Sequence, residues 1–144
     1  MNKYAKDSRE LQRICANLTF AKQLGLIDSD SLEAAEARCK QENARRAQKL
    51  AAGETVYGPT AYTLPAYLQY ECSRFRLAFA GESKAVNYDY APILPRAEKA
   101  YYKENKDLFT RYSGDKFRFR EVRQVVHKKM REEEYDRAIQ DLLR

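Results

Sequence analysis

Arg120-Glu121-Val122-Arg123-Gln124-Val125-Val126-His127-Lys128-Lys129-Met130, running on through Glu132-Glu133-Glu134-Tyr135 to Leu142-Leu143, reads as one long helix. Val122, Val125, Val126 and Met130 recur three and four residues apart, and Ile139 and Leu142 resume the spacing. That period belongs to one face of an α-helix. The interval Arg131 to Glu134 is polar. The span Arg120 to Leu143 would be roughly 36 Å long at 1.5 Å per residue. A helix of that length frays unless neighbours cover it. The rest of the chain must therefore supply helices to receive it.

Four earlier segments fit that need. Tyr4 to Leu24 carries Leu11, Ile14, Cys15, Leu18 and Ala21 on one face, and Gly25 follows at a natural C′ position. Asp28-Ser29-Asp30-Ser31 offers N-caps for a helix over Leu32 to Ala52. That helix is rich in Ala, Glu, Arg, Lys and Gln. Its apolar positions (Leu32, Ala35, Cys39, Ala47 and Leu50) are few, which predicts a largely exposed helix. Thr63 and Pro65 open a third helix to about Ala80, apolar on more than one side, with Gly81 as its stop. Ala97 to Asn105 is a shorter helix, and Ser113-Gly114-Asp115 a turn. Strand signals are nearly absent. The predicted fold is all-α, about five helices. Residues 1–144 form one domain, a usual size.

Composition narrows the function classes. Hydrophobic residues make up 44% and charged residues 33%, with a mean hydropathy of −0.79. This suits amphipathic helices and leaves no stretch long enough to cross a membrane. The net charge is +6, but 21 acidic residues interrupt the 27 basic ones. Arg45-Arg46 and His127-Lys128-Lys129 are short runs, so a solvated mixed-charge face is favoured over a nucleic-acid site. Met1 to Asp7 has no apolar signal-peptide core.

Catalytic chemistry finds no foothold. His127 is the sole histidine, and it reads as an exposed helix residue rather than a general base. Cys15, Cys39 and Cys72 lie in no CxxC or Cys/His cluster. They read as small buried hydrophobes, with one disulfide among them undetermined. Glu132-Glu133-Glu134 would point about 100° apart on a helix and so cannot converge on a metal; pairs such as Glu133 with Arg137 are expected instead. Asp28 and Asp30 lack the glycine and distant glutamate of a calcium loop. No catalytic residue, cofactor or metal is expected.

What remains is surface. Tyr57, Tyr62, Tyr67, Tyr70, Phe75 and Phe79 cluster in and after Val56-Tyr57-Gly58-Pro59, and they are the candidate peptide-binding residues. Aromatic rings can line a groove for extended polypeptide with little ordering cost.

Two stretches also carry a family resemblance. Tyr101-Tyr102-Lys103-Glu104-Asn105-Lys106-Asp107-Leu108-Phe109 is followed, after only Thr110 to Lys116, by Phe117-Arg118-Phe119-Arg120-Glu121-Val122. This pairing resembles the segments flanking the catalytic domain of SurA/PrsA-like parvulin foldases, extracytoplasmic chaperones and peptidyl-prolyl isomerases. Gly53-Glu54-Thr55-Val56-Tyr57-Gly58 is similar to a loop of parvulin-related lipoproteins from Gram-positive bacteria. The resemblance implies a SurA N-domain-like chaperone fold lacking the isomerase, in which the long C-terminal helix packs back on the first helix and on the Thr63 helix, with 110–116 as the turn where that domain would be inserted. It implies binding of unfolded or extended polypeptide clients, and a homodimer by exchange of the last helix. It also implies an extracytoplasmic location if an export signal has been removed, and a cytoplasmic one otherwise. The alternative reading is a small basic helical protein that binds nucleic acid, or an adaptor for one partner.

Overall fold

The computed structural model describes residues 3–111, 114 and 116–143. Five α-helices follow in order: α1 Ser8–Gln23, α2 Leu32–Ala51, α3 Leu64–Ala80, α4 Pro95–Glu104 and α5 Phe119–Leu143. A 3-10 turn, Lys106–Phe109, follows α4. Thr110 and Lys116 form an isolated antiparallel bridge, and no named strand occurs among the described residues. The fold is all-α. Of the turn expected at Ser113-Gly114-Asp115, only Gly114 is among the described residues.

Local chemistry sets the helix ends. Asp7 accepts from the Glu10 N–H at 2.8 Å, so α1 begins after Asp7 rather than at Tyr4. At its other end Gly25 adopts φ +77°, Leu26 N–H bonds Ala21 O and Gly25 N–H bonds Lys22 O. That is the Schellman pattern, which suits glycine. Ser31 and Thr63 cap α2 and α3 as the sequence predicts. α3 ends at Ala80 with Gly81 as its stop, as predicted, but the left-handed residue lies one further on. Gly81 keeps an ordinary φ of −83°, and Glu82 takes the left-handed φ of +51°. A non-glycine residue there costs on the order of 1 kcal/mol. Its carboxylate is held by His127 and Arg131 on α5, which offsets the strain.

α1, α3 and α5 pack together as the main body, α2 leans on α3, and α4 packs chiefly on α5. Ile14, Leu18, Leu24, Leu68, Phe75, Phe79, Tyr135 and Ile139 form the main core. Each such side chain contributes about 1.5–3 kcal/mol by leaving water. Phe109, Val122 and Val126, backed by Tyr101, Tyr102, Phe117 and Met130, form a second and smaller core. α5 supplies residues to both, and it packs on α1 and α3 as expected.

Three side-chain placements depart from the sequence reading. Val125 and Leu142 on α5 are exposed rather than core. The expected Glu133–Arg137 pair is absent among the described residues, and Glu132 and Glu134 meet Arg76 and Arg131 instead. On α2, Ala47 and Leu50 face solvent, whereas Arg46 is buried.

Candidate functional site

Three residues near the middle of α2 build the site. Glu42, Asn43 and Arg46 share the side of the helix that the 53–63 segment crosses. Asn43 pairs with the Tyr62 backbone twice, accepting from its N–H at 2.7 Å and donating to its carbonyl at 3.0 Å. Arg46 is held by Glu42 at 2.8 Å and donates to the carbonyls of Tyr57 and Pro59, each at 2.7 Å. Its guanidinium also lies 4.7 Å from the centre of the Tyr62 ring. With only 7% of its surface exposed, this arginine fixes the segment from beneath. Gly58, at φ +82°, makes the turn that brings both carbonyls to one guanidinium.

That clamp holds Tyr57 out in solvent, 85% exposed. Beside it, the rings of Tyr62 and Tyr70 stack at 5.3 Å between centroids, and Tyr67 meets Tyr62 edge-on at 5.6 Å. Tyr67 is buried, and its hydroxyl donates to Glu71 at 3.0 Å. Burial, with the Glu71 carboxylate second, pushes its phenol far above the usual tyrosine range. Glu71 has no solvent exposure and receives a two-point grip from Arg38, at 2.8 and 3.0 Å. The tyrosine stack thus rests on a buried ion pair.

The structure divides the six predicted residues. Tyr57 and Tyr70 lie at the surface and Tyr62 is half-buried; Tyr62 and Tyr70 stack, and Tyr57 is tied to them only through Arg46, which holds its carbonyl and lies over the Tyr62 ring. Tyr67, Phe75 and Phe79 are interior, and Phe75 and Phe79 belong to the main core. Sequence reasoning missed Arg46 and Asn43, because polar residues on a polar helix read as solvated. The one signal was Glu42 and Arg46 at i,i+4 ahead of a Gly-Pro turn.

A second buried arginine repeats the device. Arg131 donates to Glu82, to Glu134 and to the Ala91 carbonyl, at 2.8, 2.7 and 2.7 Å, and lies 4.7 Å from the centre of the Tyr90 ring. It ties down the irregular segment between α3 and α4. Tyr90, mostly removed from water, is pushed up to about 12.

Groups suited to catalysis are otherwise engaged. Both ring nitrogens of His127 meet carboxylates, Glu98 at 3.1 Å and Glu82 at 2.5 Å, so it is held between two side chains rather than plainly solvated. A cleft of about 390 Å³ between α1, α3 and α5 is lined by Arg13, Asn17, Gln69, Cys72 and Tyr135. Burial pushes the Cys72 thiol up to about 11, so the nucleophilic thiolate is scarce at neutral pH. All three cysteines are free thiols. Among the described residues no cluster suits a metal ion, and no helix is long and apolar enough to cross a membrane.

The chain is similar to a chaperone. The "Chaperone for lacto-N-biosidase" of Bifidobacterium longum subsp. longum is 30% identical over 130 residues, covering 90% of this chain and 45% of that protein. Two crystal structures of GH136 lacto-N-biosidase from Eubacterium ramulus, native and selenomethionine, share the fold. Their TM-scores are 0.76 and 0.77 at 26% identity, over 92% and 91% of this chain and 27% of each solved chain. This chain therefore spans less than half of its curated relative and about a quarter of each solved chain. No family model matches it.

These matches correct the resemblance to SurA/PrsA-like parvulin foldases, since none of them is a foldase of that kind. The residues that carried it serve local packing. Tyr101, Tyr102 and Phe109 build the second core, and Asn105 closes α4 by donating to the Tyr101 carbonyl at 2.9 Å. Any helix end rich in Tyr, Lys and Asn over such a core would read alike. The relative's name also accords with the expectation of a non-catalytic chain.

Proposed function

We propose that this chain is a non-catalytic chaperone dedicated to a glycoside hydrolase polypeptide, which it contacts through Tyr57, Tyr62 and Tyr70. The observation that carries this is the pair of matches. The same helical module is found within a lacto-N-biosidase chain in one organism and in a separate chaperone for lacto-N-biosidase in another. A module that occurs both joined to an enzyme and apart from it works by standing contact with that enzyme. A dedicated client therefore fits better than the broad holdase suggested by the aromatic content.

The Tyr57 loop supplies a means. A large ring held out by an ordered backbone has little freedom left to lose on binding. Tyrosine is also among the residues that most often anchor interfaces.

The test is refolding. A lacto-N-biosidase polypeptide is unfolded in denaturant, diluted with increasing amounts of this chain, and assayed for hydrolysis. Recovery that saturates near one chain per enzyme, and that a general client such as citrate synthase does not show, is expected. Recovery no better than with serum albumin overturns the reading.

A further inference from the structure

The positive charge of this chain has a location. Between Pro95 and Lys129 stand eleven Lys and Arg against five Asp and Glu, a surplus of six. The remainder holds sixteen of each, so its net charge is zero. The whole +6 therefore belongs to α4, the 3-10 turn, the 110–118 connection and the first half of α5.

Little of that charge is neutralised within the fold. Among the described residues only Arg111 and Arg123 of the eleven form ion pairs, with Glu121 and Glu98. Glu98 is buried and also meets His127, so it offers nothing outward. Lys99, Lys103, Lys106, Arg120 and Lys128 are exposed and have no acidic partner among the described residues, and the exposed Arg118 meets Glu121 only through its backbone N–H. The same elements carry exposed apolar side chains: Leu94 at the start of α4, 48% exposed, Leu108 in the 3-10 turn, 54%, and Val125 in α5, 48%. Apolar contacts beside unpaired charge of one sign are the mark of an interaction surface.

We propose that this basic lobe is a second docking surface, separate from the Tyr57 loop, for an acidic and partly apolar face of a polypeptide. The preference for polypeptide over nucleic acid rests on the chaperone reading; the surface does not. Complementary charge would speed encounter with the client and weaken as salt screens it. The apolar residues would hold what the charge attracts.

The test measures fluorescence anisotropy of a labelled 15-residue peptide of alternating Glu and Leu. Its probes for comparison are the same peptide with Lys for Glu, and single-stranded oligothymidine of equal charge. Two triple variants of the full chain are compared. One is Lys99→Glu, Lys103→Glu and Lys128→Glu in the lobe. The other is Lys40→Glu, Lys49→Glu and Lys84→Glu in the neutral remainder, which changes the net charge equally. The acidic peptide should bind at least tenfold tighter than the lysine peptide and weaken about tenfold from 50 to 300 mM salt. The lobe variant should lose tenfold or more, the other less than threefold, with helical circular dichroism unchanged in both. Equal losses in the two variants overturn the proposal, and so does oligothymidine binding tenfold tighter than the acidic peptide. Refolding of the biosidase separates the two readings. If the lobe variant rescues as well as the parent chain, this surface falls and the chaperone reading stands. If the parent chain rescues nothing yet binds the acidic peptide through the lobe, the chaperone reading falls and the surface stands.

Discussion

Arg46 holds Tyr57 by its backbone, not by its ring. The guanidinium donates to the Tyr57 carbonyl at 2.7 Å while the side chain of Tyr57 stays 85% exposed. Position and contact chemistry are therefore assigned to different residues, and mutation separates them.

Replacing Arg46 with alanine leaves the Tyr57 and Pro59 carbonyls and the Glu42 carboxylate short of a donor. The expected loss is about 1–3 kcal/mol of stability, read from urea unfolding. Amide hydrogen exchange should quicken over residues 54–62 and stay slow in α1 and α5. Arg46→Lys should recover only part of this, because one ammonium cannot present a planar fork to three acceptors.

Tyr57→Ala is the converse. An exposed ring contributes within about 0.5 kcal/mol, so the unfolding midpoint should hold. Rescue of the biosidase should nevertheless fall several-fold. Unchanged rescue would remove Tyr57 from the proposed contact.

Glu71→Ala would leave Arg38 and the Tyr67 hydroxyl facing each other without their shared acceptor. Breaking a buried pair from one side costs about 3–5 kcal/mol, which should appear as a large drop in the urea midpoint. Glu71→Gln keeps one acceptor and should lose less.

Acid should loosen α5 from the turn after α3. The His127 contact, and after it Arg131, holds the Glu82 carboxyl below its ordinary value of 4.5. A carboxyl lowered in the folded state stabilises fully above that value, and the contribution is lost as pH falls through the folded pKa. The melting-temperature advantage of the parent chain over Glu82→Gln should therefore shrink as pH falls below about 4.5. Glu82→Gln should melt lower at neutral pH and show a shallower acid decline.

Thiol chemistry offers a further check. Cys72 is buried and its thiol is pushed up to about 11, whereas Cys15 is only half-buried. With a disulfide-exchange reagent at pH 7.5, Cys15 should react first and Cys72 only at the rate of unfolding. Reducing agent should leave the melting temperature unchanged.

The helices were legible because each of their signals is local. Val122, Val126 and Ile139 mark the α5 face by spacing alone, and Thr63 with Pro65 marks the start of α3 to the residue. The exposed tyrosine was legible as a candidate because Val56-Tyr57-Gly58-Pro59 has no helical use. What could not be read was how polar residues far apart in sequence meet. Arg46, Arg131 and Glu71 look solvated until another segment is laid across them. The end of α3 at Ala80 was legible too, but not that Glu82, rather than a glycine, takes the left-handed turn after it. Local backbone bonds to Phe79 and Ala78 close that turn, and His127 and Arg131 of α5, 45 and 49 residues later, hold the Glu82 carboxylate.

The hydrogen bond from Tyr135 to Asn17 spans 118 residues of sequence. During synthesis α1 leaves the ribosome long before the helix that completes its packing exists. In that interval Ile14, Leu18 and Phe20 lack the α5 side of their core, which stays open there. Long-range closure of this kind slows folding relative to helical bundles built from sequential neighbours. A chain that helps another to fold thus has an unsheltered interval of its own, ended only when Tyr135 and Ile139 arrive.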